Sequence, residues 1–232
     1  MDINSVLPDE MLDAVFRLLP HKSFLMVLLV CRRWREVGES PWFWAFSSLR
    51  VTFDNLPQIP ELLASRRWMA LSCIIVRDVS NELLTSVQDH RSIKRLEMNY
   101  LDLSLVDPEL LATAVADREV VDMRSCRLTN TQANAIFTVI SNDSRLQSLE
   151  IGPMTNLSTL EPGMMAKAVN RLKRMEMRGT HITREQVSSI LHQAVTHTRL
   201  HYLDLRGNWS MGEIPLELVR AASRNIRVVY CK

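Results

Sequence analysis

The sequence predicts an α/β fold in which a small group of N-terminal helices precedes a series of stacked strand–helix units. Three observations predict it. Short apolar cores of the form Leu-x-Leu recur at steps of 25, 22, 25, 28, 26, 28 and 26 residues. Helix start signals lie between several of these cores, and residues 7–44 carry more apolar side chain than so short a segment can bury. Because a single strand–helix unit buries too little surface, stacking of neighbouring units supplies the core.

The first predicted helix lies between Pro8 and Pro20. Pro8 suits the first helical position because proline has no N–H to leave unpaired, and Pro20 denies the next turn a donor. Apolar side chains cover most of the circumference, whereas Asp9, Asp13 and Arg17 form one narrow polar stripe. Such a helix is predicted to be buried on more than one side.

Two further helices are predicted before residue 47. Ser23 can cap the second, in which the apolar residues 24–31 make two turns before residues 32–36 return the chain to solvent. A short third helix is expected over residues 40–46. Burying a large apolar side chain is worth roughly 1.5 to 3 kcal/mol, so leaving four or five of them wet would rival the stability of a small domain. This segment therefore either caps the rest of the chain or binds another protein.

A set of anchor residues between positions 7 and 44 has a characteristic spacing. It consists of Leu7-Pro8-Asp9-Glu10, Leu12, Val15, Leu18-Leu19-Pro20, Val30-Cys31-Arg32-Arg33-Trp34 and Trp44. In these residues the chain closely resembles an F-box, although Ser23 replaces a usual acidic residue and Met26 and Leu28 replace residues that are often polar. The resemblance implies docking onto the Skp-type adaptor of a cullin-RING ubiquitin ligase. It places at or beneath that interface Leu7, Pro8, Leu12, Val15, Phe16, Leu19, Pro20, Val30, Cys31, Trp34 and Trp44.

The recurring cores predict the strands. They are Leu49-Val51, Ile74-Val76, Leu96-Met98, Val121-Met123, Leu149-Ile151, Met175-Met177, Leu203-Leu205 and Val229-Cys231. This period is typical of leucine-rich repeats. Together with the N-terminal anchors, it makes the chain similar to the F-box/leucine-rich-repeat family, which implies a solenoid with parallel strands on a concave face and helices on the convex face. We predict an F-box domain at residues 1–46 and a leucine-rich-repeat solenoid of about seven to eight irregular repeats at residues 47–232.

Helix start signals and turn residues define the units further. Asp107 with Pro108 predicts a capped helix, Thr183 with Gln186 a capping box, and Pro162 the start of a helix towards residue 171. The side chains expected to face inward are Ala112, Ala116, Ala133, Ile136, Phe137, Ile190, Leu191 and Val195. The turn position usually filled by Asn or Cys holds Asp54, Val79, Leu101, Cys126, Met154, Thr180 and Asn208. Because only some of these can bond the backbone, we expect uneven turns.

Alternation along the strands predicts a charged strip on the concave face. The strip consists of Arg95, Glu97, Asp122, Arg124, Glu150, Arg174, Glu176, Arg178, Tyr202, Asp204 and Arg206. Two interpretations stand. The arginines and carboxylates form a self-compensating solvated face, or the strip docks a protein substrate, with Arg95, Arg174 and Tyr202 as anchors because Arg and Tyr are enriched at hot spots.

Composition favours a reduced, intracellular globular protein of the cytoplasm or nucleus. The chain has 232 residues, 47% hydrophobic and 23% charged, and a net charge of +2 without a basic block, so nucleic-acid binding is not predicted. No signal peptide is recognisable, and the eight-residue apolar run is too short to cross a bilayer. The four cysteines show no paired spacing.

No catalytic, metal or cofactor motif is recognisable, so we predict a non-catalytic protein. A metal site at His192, His197 and His201 is disfavoured because a break between helix and strand separates them. The resemblance implies the substrate-recognition subunit of an SCF (Skp–cullin–F-box) ubiquitin ligase, which binds the adaptor and a protein substrate. The alternative is a leucine-rich-repeat scaffold or inhibitor whose F-box-like head is only a helical cap.

Overall fold

The computed structural model describes residues 7–19, 23, 26–38, 40, 48–52, 56–64, 71–196 and 198–229. In this part of the chain eight strands form one open parallel sheet in sequential order. The strands are β1 (Ser48–Val51), β2 (Cys73–Val76), β3 (Arg95–Glu97), β4 (Val120–Met123), β5 (Ser148–Ile151), β6 (Arg174–Met177), β7 (Tyr202–Asp204) and β8 (Arg227–Val229). The α-helices are α1 (Asp9–Arg17), α2 (Arg32–Gly38), α3 (Ile59–Ala64), α4 (Asn81–Asp89), α5 (Pro108–Ala116), α6 (Asn130–Asn142), α7 (Pro162–Arg171), α8 (Arg184–Thr196) and α9 (Leu216–Ala222). Short 3-10 helices lie at Leu56–Gln58 and Trp209–Met211.

The sheet register follows the predicted cores from β1 to β7. Each first core residue, from Leu49 to Met175, pairs with the first core residue of the next strand. Both residues of every core in these seven strands are fully buried. The period of two along each strand therefore places the core residues inward and the intervening residues on the other face of the sheet.

The predicted core of the last strand is wrong by one residue. Leu203 pairs with Val228 and not with Val229, and the latter lies beside Asp204. The backbone N–H of Arg227 bonds the carbonyl of His201 at 2.8 Å, which fixes this register. The predicted position of Cys231 lies outside the described residues.

The helices form one layer against the inward face of the sheet. Consecutive helices from α3 to α9 contact one another, as right-handed crossovers between sequential parallel strands require. Seven of the eight predicted inward side chains are buried, but Val195 is 39% exposed and Ala194 takes its place in the core. One continuous cluster of buried residues extends from Leu12 to Ile226.

The predicted helix starts are confirmed. Asp107 accepts hydrogen bonds from the first turn of α5, and Pro162 opens α7 behind the capping side chain of Glu161. Thr183 and Gln186 form the reciprocal capping box of α8, with 2.8 Å and 3.2 Å bonds. An equivalent box at Thr129 precedes α6.

The two capping-box glutamines also join neighbouring repeats, a role that was not predicted. Nε2 of Gln186 donates to the carbonyls of Leu157 at 2.8 Å and Leu160 at 2.7 Å. Gln132 makes the equivalent bonds to the repeat before it. Each glutamine is fully buried, so its amide satisfies backbone groups that water cannot reach.

Side chains, one of them buried, also cap helix ends across repeats. Arg118 is 1% exposed and donates to the carbonyls of His90 at 2.9 Å and Ile93 at 2.7 Å, next to the end of α4. Burial lowers the pKa of its guanidinium below the ordinary value. Asn225 donates to the carbonyl of Ala194 at 3.1 Å near the end of α8.

The turns after the strands are uneven, as predicted, and the fifth differs for a definable reason. Thr180 donates to the carbonyl of Met177 at 3.1 Å. In the fifth unit the turn position holds Met154, which has no donor, and the next residue, Thr155, donates to the carbonyl of Cys126 at 2.8 Å instead. In other units a residue with positive φ stands four positions after the first core residue, namely Tyr100, Ser125, Gly179 and Gly207. Pro153 holds that position in the fifth unit and cannot adopt positive φ.

The N-terminal helices differ from the prediction in their boundaries. Pro8 is the N-cap of α1 and not its first residue. The second predicted helix does not continue to residue 36, because the chain turns at residues 28–30 and α2 begins at Arg32. The N–H of Val30 closes this turn onto the carbonyl of Val27 at 3.1 Å. The third predicted helix falls on residues 40–46, of which 41–46 lie outside the described residues.

None of the helices in the described ranges is long and apolar enough to span a bilayer.

Candidate protein-binding surfaces

Large apolar side chains are concentrated at the surface of the N-terminal helices. Six are strongly exposed between residues 11 and 30, whereas the others in the described part are spread between residues 100 and 216. The six are Met11, Val15, Leu18, Met26, Leu29 and Val30, with exposures from 49% to 84%. We call them the N-terminal apolar face. An exposed cluster of this kind is typical of a protein-binding surface.

A small buried core supports this face. Leu12 and Phe16 of α1 are each 2% exposed, and the Phe16 ring lies 5.4 Å from the Trp34 ring of α2. Arg33 joins the two helices, since it donates to Asp9 at 2.7 Å and to the carbonyl of Leu7. Met11, Val15 and Leu18 are thus carried by a helix that is fixed to α2, whereas Met26, Leu29 and Val30 lie between the two helices.

Some of the predicted anchor residues lie in this small core, and others lie at the surface. Leu12 and Phe16 are buried, and Leu7, Leu19, Cys31 and Trp34 are partly buried. Pro8, Val15 and Val30 lie at the surface, and Pro20 and Trp44 lie outside the described residues. The residues predicted to lie at or beneath the adaptor interface did not include Met11, Met26 and Leu29, nor Leu18, which was named only as part of the anchor motif. For Met11 and Leu18 the available signal was their helical spacing from Val15, at i−4 and i+3.

The predicted polar stripe of α1 is only partly exposed. Asp13 is 4% exposed and forms a 2.7 Å salt bridge with Arg17 one turn later. The helix therefore buries a paired carboxylate beside Leu12 and leaves Met11, Val15 and Leu18 in solvent. The prediction that α1 is buried on several sides is not met by this chain alone.

The sheet face away from the helices carries the predicted charged strip. The register aligns Glu97, Asp122, Glu150, Glu176 and Asp204 on the five neighbouring strands β3 to β7. Neighbouring strands lie about 4.8 Å apart, so five carboxylates in one row would repel each other strongly without cations. The arginines of the strip supply those cations in two recurring arrangements.

In the first arrangement an aspartate pairs with the arginine two residues later. Arg124 donates from Nη2 to Asp122 at 2.7 Å, and its backbone N–H bonds the same carboxylate at 3.1 Å. Arg206 binds Asp204 with the same two distances. Burial alone would raise the pKa of both carboxyls, but the hydrogen bonds from these arginines outweigh it and lower the pKa.

In the second arrangement a glutamate pairs with the arginine two residues earlier. Nε of Arg95 lies 2.6 Å from Glu97, and Arg174 donates to Glu176. Arg178 adds bonds to Glu176 at 2.9 Å and to Asp204 at 2.8 Å, so it joins two strands.

Glu150 has neither arrangement, because Ser148 precedes it and Gly152 follows it. Among the described residues, the cations within salt-bridge distance of its carboxylate belong to the neighbouring units, Arg124 at 3.3 Å and Arg174 at 3.9 Å. Burial, followed by the negative charges of the adjacent carboxylates, raises the pKa of Glu150 above its ordinary value. The centre of the strip is therefore its least compensated position.

The surface that a partner meets is mainly arginine. The side chains of Asp122, Glu176 and Asp204 are 0–4% exposed, whereas those of the arginines bound to them are 43–53% exposed. The Arg174 guanidinium also stacks 4.2 Å from the Tyr202 ring centroid. The strip thus places hydrogen-bond donors over a layer of buried carboxylates.

The described residues contain no group of three or more His, Cys, Asp or Glu side chains placed to hold a metal ion. Of the histidines considered above, His197 lies outside these residues, and the Nδ1 atom of His192 lies 2.7 Å from the carbonyl of Ser188.

Comparison with known families bears on the first of these surfaces. A model of the F-box-like family matches residues 5–50. The matched segment contains α1, α2 and the whole N-terminal apolar face. The chain therefore carries an F-box-like domain at residues 5–50.

Proposed function

We propose that this chain is the substrate-recognition subunit of an SCF-type ubiquitin ligase. The F-box-like domain docks onto a Skp-type adaptor, and the strand–helix units, which we interpret as leucine-rich repeats, bind a protein substrate. The observation that carries the proposal is the N-terminal apolar face within the matched segment. Such a subunit is non-catalytic and acts in the cytoplasm or nucleus by raising the effective concentration of substrate near the conjugating enzyme.

The energetics of the N-terminal apolar face favour a stable complex. Covering each large apolar side chain is worth about 1.5 to 3 kcal/mol, before the costs of association are subtracted. Met11 and Met26 add flexible, polarisable contacts that adapt to a partner surface. Asp13 and Asp9 of α1 are already paired with Arg17 and Arg33, so a partner that covers the apolar side chains need not supply a cation to either carboxylate.

The test uses substitutions that place charge on the N-terminal apolar face without disturbing the fold. Val15→Asp and Leu18→Asp change side chains that are 49% and 84% exposed. Val195→Asp and Leu105→Asp are matched controls, because these side chains are 39% and 95% exposed outside the matched segment. Each chain is co-expressed with a Skp-type adaptor, and the stoichiometry and dissociation constant of the purified complex are measured.

We expect the wild-type chain and both controls to form a one-to-one complex. Each face variant should bind at least tenfold more weakly, since losing about 1.4 kcal/mol changes the affinity tenfold. A wild-type chain that is stable, monomeric and indifferent to the adaptor would instead support the scaffold or inhibitor with a helical cap. Substituting Leu7 and Pro8 is a weaker test, because Leu7 packs against the buried core and Pro8 is the N-cap of α1, so the change would also disturb the fold.

We further propose that the charged strip contacts the substrate through the exposed edges of its arginines. A charge swap, Arg95→Glu together with Glu97→Arg, keeps the net charge and the ion pair but reverses the polarity that a partner meets. The control swap, Asp102→Arg with Arg127→Asp, changes an exposed pair outside the strip. Proteins captured with the adaptor-bound chain are compared by mass spectrometry. Loss of specific proteins in the first swap alone supports the docking strip; identical capture in both swaps supports a self-compensating face.

A further inference from the structure

A hollow at the edge of the sheet opposite the turns is lined by unusually many cations. It has a volume of about 410 Å³, and Arg145, Arg171, Lys173 and Arg199 lie around it. Its lining includes one carboxylate, Glu119, which lies 3.3 Å from Lys94 outside the hollow. All four cationic side chains are exposed.

These cations differ from the arginines of the charged strip. Each arginine of the strip has a carboxylate within salt-bridge distance, whereas within the described residues none of these four cations forms a salt bridge. Four cations beside one carboxylate, which is itself paired with Lys94, repel one another, so a bound anion would relieve that repulsion.

The position of the arginines follows from the repeat. Arg145, Arg171 and Arg199 each stand four residues before the first core residue of their strands, β5, β6 and β7. Equivalent positions in adjacent units are separated by about the strand spacing of 4.8 Å. Arg224 continues the row without lining the hollow, and Asp117 takes the same position in the unit before Arg145.

Helix ends supply a structural reason for cations at this edge, since the carboxyl ends of α6 and α7 point here. The hydrogen bonds show, however, that the carbonyls at these helix ends are bonded mainly by backbone N–H groups and not by the cations. Arg171 does donate to the carbonyl of Ser141 at 3.1 Å. The carbonyl of Asn170, by contrast, accepts from the backbone N–H of Arg199 at 3.0 Å, and that of Val139 from the N–H of Asp143. In the described part the side chains of Arg145, Lys173 and Arg199 bond no helix carbonyl.

We propose that this hollow binds a compact polyanion, a small molecule that carries several phosphate groups. The volume lies in the range of small-molecule sites, and the buried side chains of Ile140 and Leu146 form part of its wall. Arginine provides fork-shaped donor pairs suited to phosphate. A nucleic acid would require contacts well beyond the hollow, where the row meets Asp117.

The test measures tripolyphosphate binding to the full-length chain, with its adaptor bound where the complex forms. Isothermal titration calorimetry compares the wild type with Arg145→Gln/Arg199→Gln. The control, Lys167→Gln/Arg220→Gln, removes the same charge from exposed side chains that form no salt bridge within the described residues. All these positions are exposed, so the fold should be retained. We expect the first variant to bind at least tenfold more weakly and the control less than twofold.

Three results would overturn the proposal. The first is no measurable tripolyphosphate binding by the wild type. The second is an equal loss in the two variants, which would show an effect of net charge alone. The third is a hexaglutamate peptide or a short oligothymidylate that binds at least tenfold more tightly than tripolyphosphate and displaces it, which would make the hollow a docking site for protein or nucleic acid. Adaptor binding, measured on the same samples, is independent of all three.

Discussion

Replacing Gln186 by leucine should lower the free energy of unfolding far more than the same replacement of a surface glutamine. The side chain is 1% exposed and satisfies three backbone groups, one in its own capping box and two in the preceding unit. Leucine has a similar size, so the substitution removes hydrogen bonds without opening a large cavity.

The size of the stability loss depends on which hydrogen bonds each of these backbone groups keeps after the substitution. The carbonyl of Leu157 keeps a 3.1 Å bond from the N–H of Leu160. The carbonyl of Leu160 and the N–H of Thr183 lose the side-chain partner that the structure shows for them. An unsatisfied buried group costs roughly 1–3 kcal/mol, so the two together should lower the free energy of unfolding by about 2–6 kcal/mol.

The assay is urea denaturation at 25 °C, with Gln193→Leu as the control. Gln193 lies on the same helix, is partly exposed, and its side chain makes no hydrogen bond within the described residues. We expect the control to change the free energy of unfolding by less than about 0.5 kcal/mol. Because repeats can open locally, hydrogen exchange of the amides at residues 157–160 and 183–187 is measured in parallel. A Gln186→Leu chain as stable as the control would refute the role assigned to the inter-repeat bonds.

Three further predictions follow from single residues. Gly152→Ala should destabilise the chain by more than about 1 kcal/mol in the same denaturation assay, because an added Cβ would lie 2.5 Å from the backbone N of Ser125. Burial raises the pKa of Cys73 to about 11 from 9.0, so its alkylation at pH 8, followed by mass spectrometry, should be about a hundredfold slower than that of a thiol with the ordinary pKa. The raised pKa of Glu150 contributes stability at acid pH that is lost as pH rises through the folded-state pKa, whereas the lowered pKa of Asp204 contributes stability at neutral pH that is lost on acidification. As pH rises from about 4 to 7, the stability of Glu150→Gln relative to wild type should therefore increase, and as pH rises from about 2 to 4 that of Asp204→Asn should decrease; trends with the opposite sign would contradict this account.

The strand cores could be predicted because a strand in a stacked sheet has only two faces. A one-residue shift in β5 would place Glu150 in the core, so the register follows from the sequence. This constraint fails at β8, where residues 228 and 229 are both valine and either one can face inward. The hydrogen bond of Arg227 decides between them, and pattern alone does not contain it.

The N-terminal helices were less predictable because nearly every residue there is apolar. Between residues 24 and 31 no polar position marks a face, and neither Gly nor Pro marks the turn at 28–30. Periodicity therefore could not separate buried Leu28 from exposed Leu29. A protein-binding surface can be as apolar as a protein core, so the hydrophobic pattern does not distinguish the two. The F-box-like motif was therefore more informative here than the hydrophobic pattern.

In the charged strip, the type of carboxylate determines which arginine of the same chain segment pairs with it. The sequence contains this pattern, but the alternation of residues along the strands did not predict it. An aspartate in a strand binds the arginine two residues later, because its short side chain also accepts that residue's backbone N–H. A glutamate reaches the arginine two residues earlier. The motifs Asp-x-Arg and Arg-x-Glu thus identify compensated carboxylates, and Glu150, between Ser148 and Gly152, satisfies neither. Burial and the negative charges of the adjacent carboxylates raise its pKa, and the absence of local arginines leaves the middle of the strip as the position where a partner's charge would change the electrostatics most.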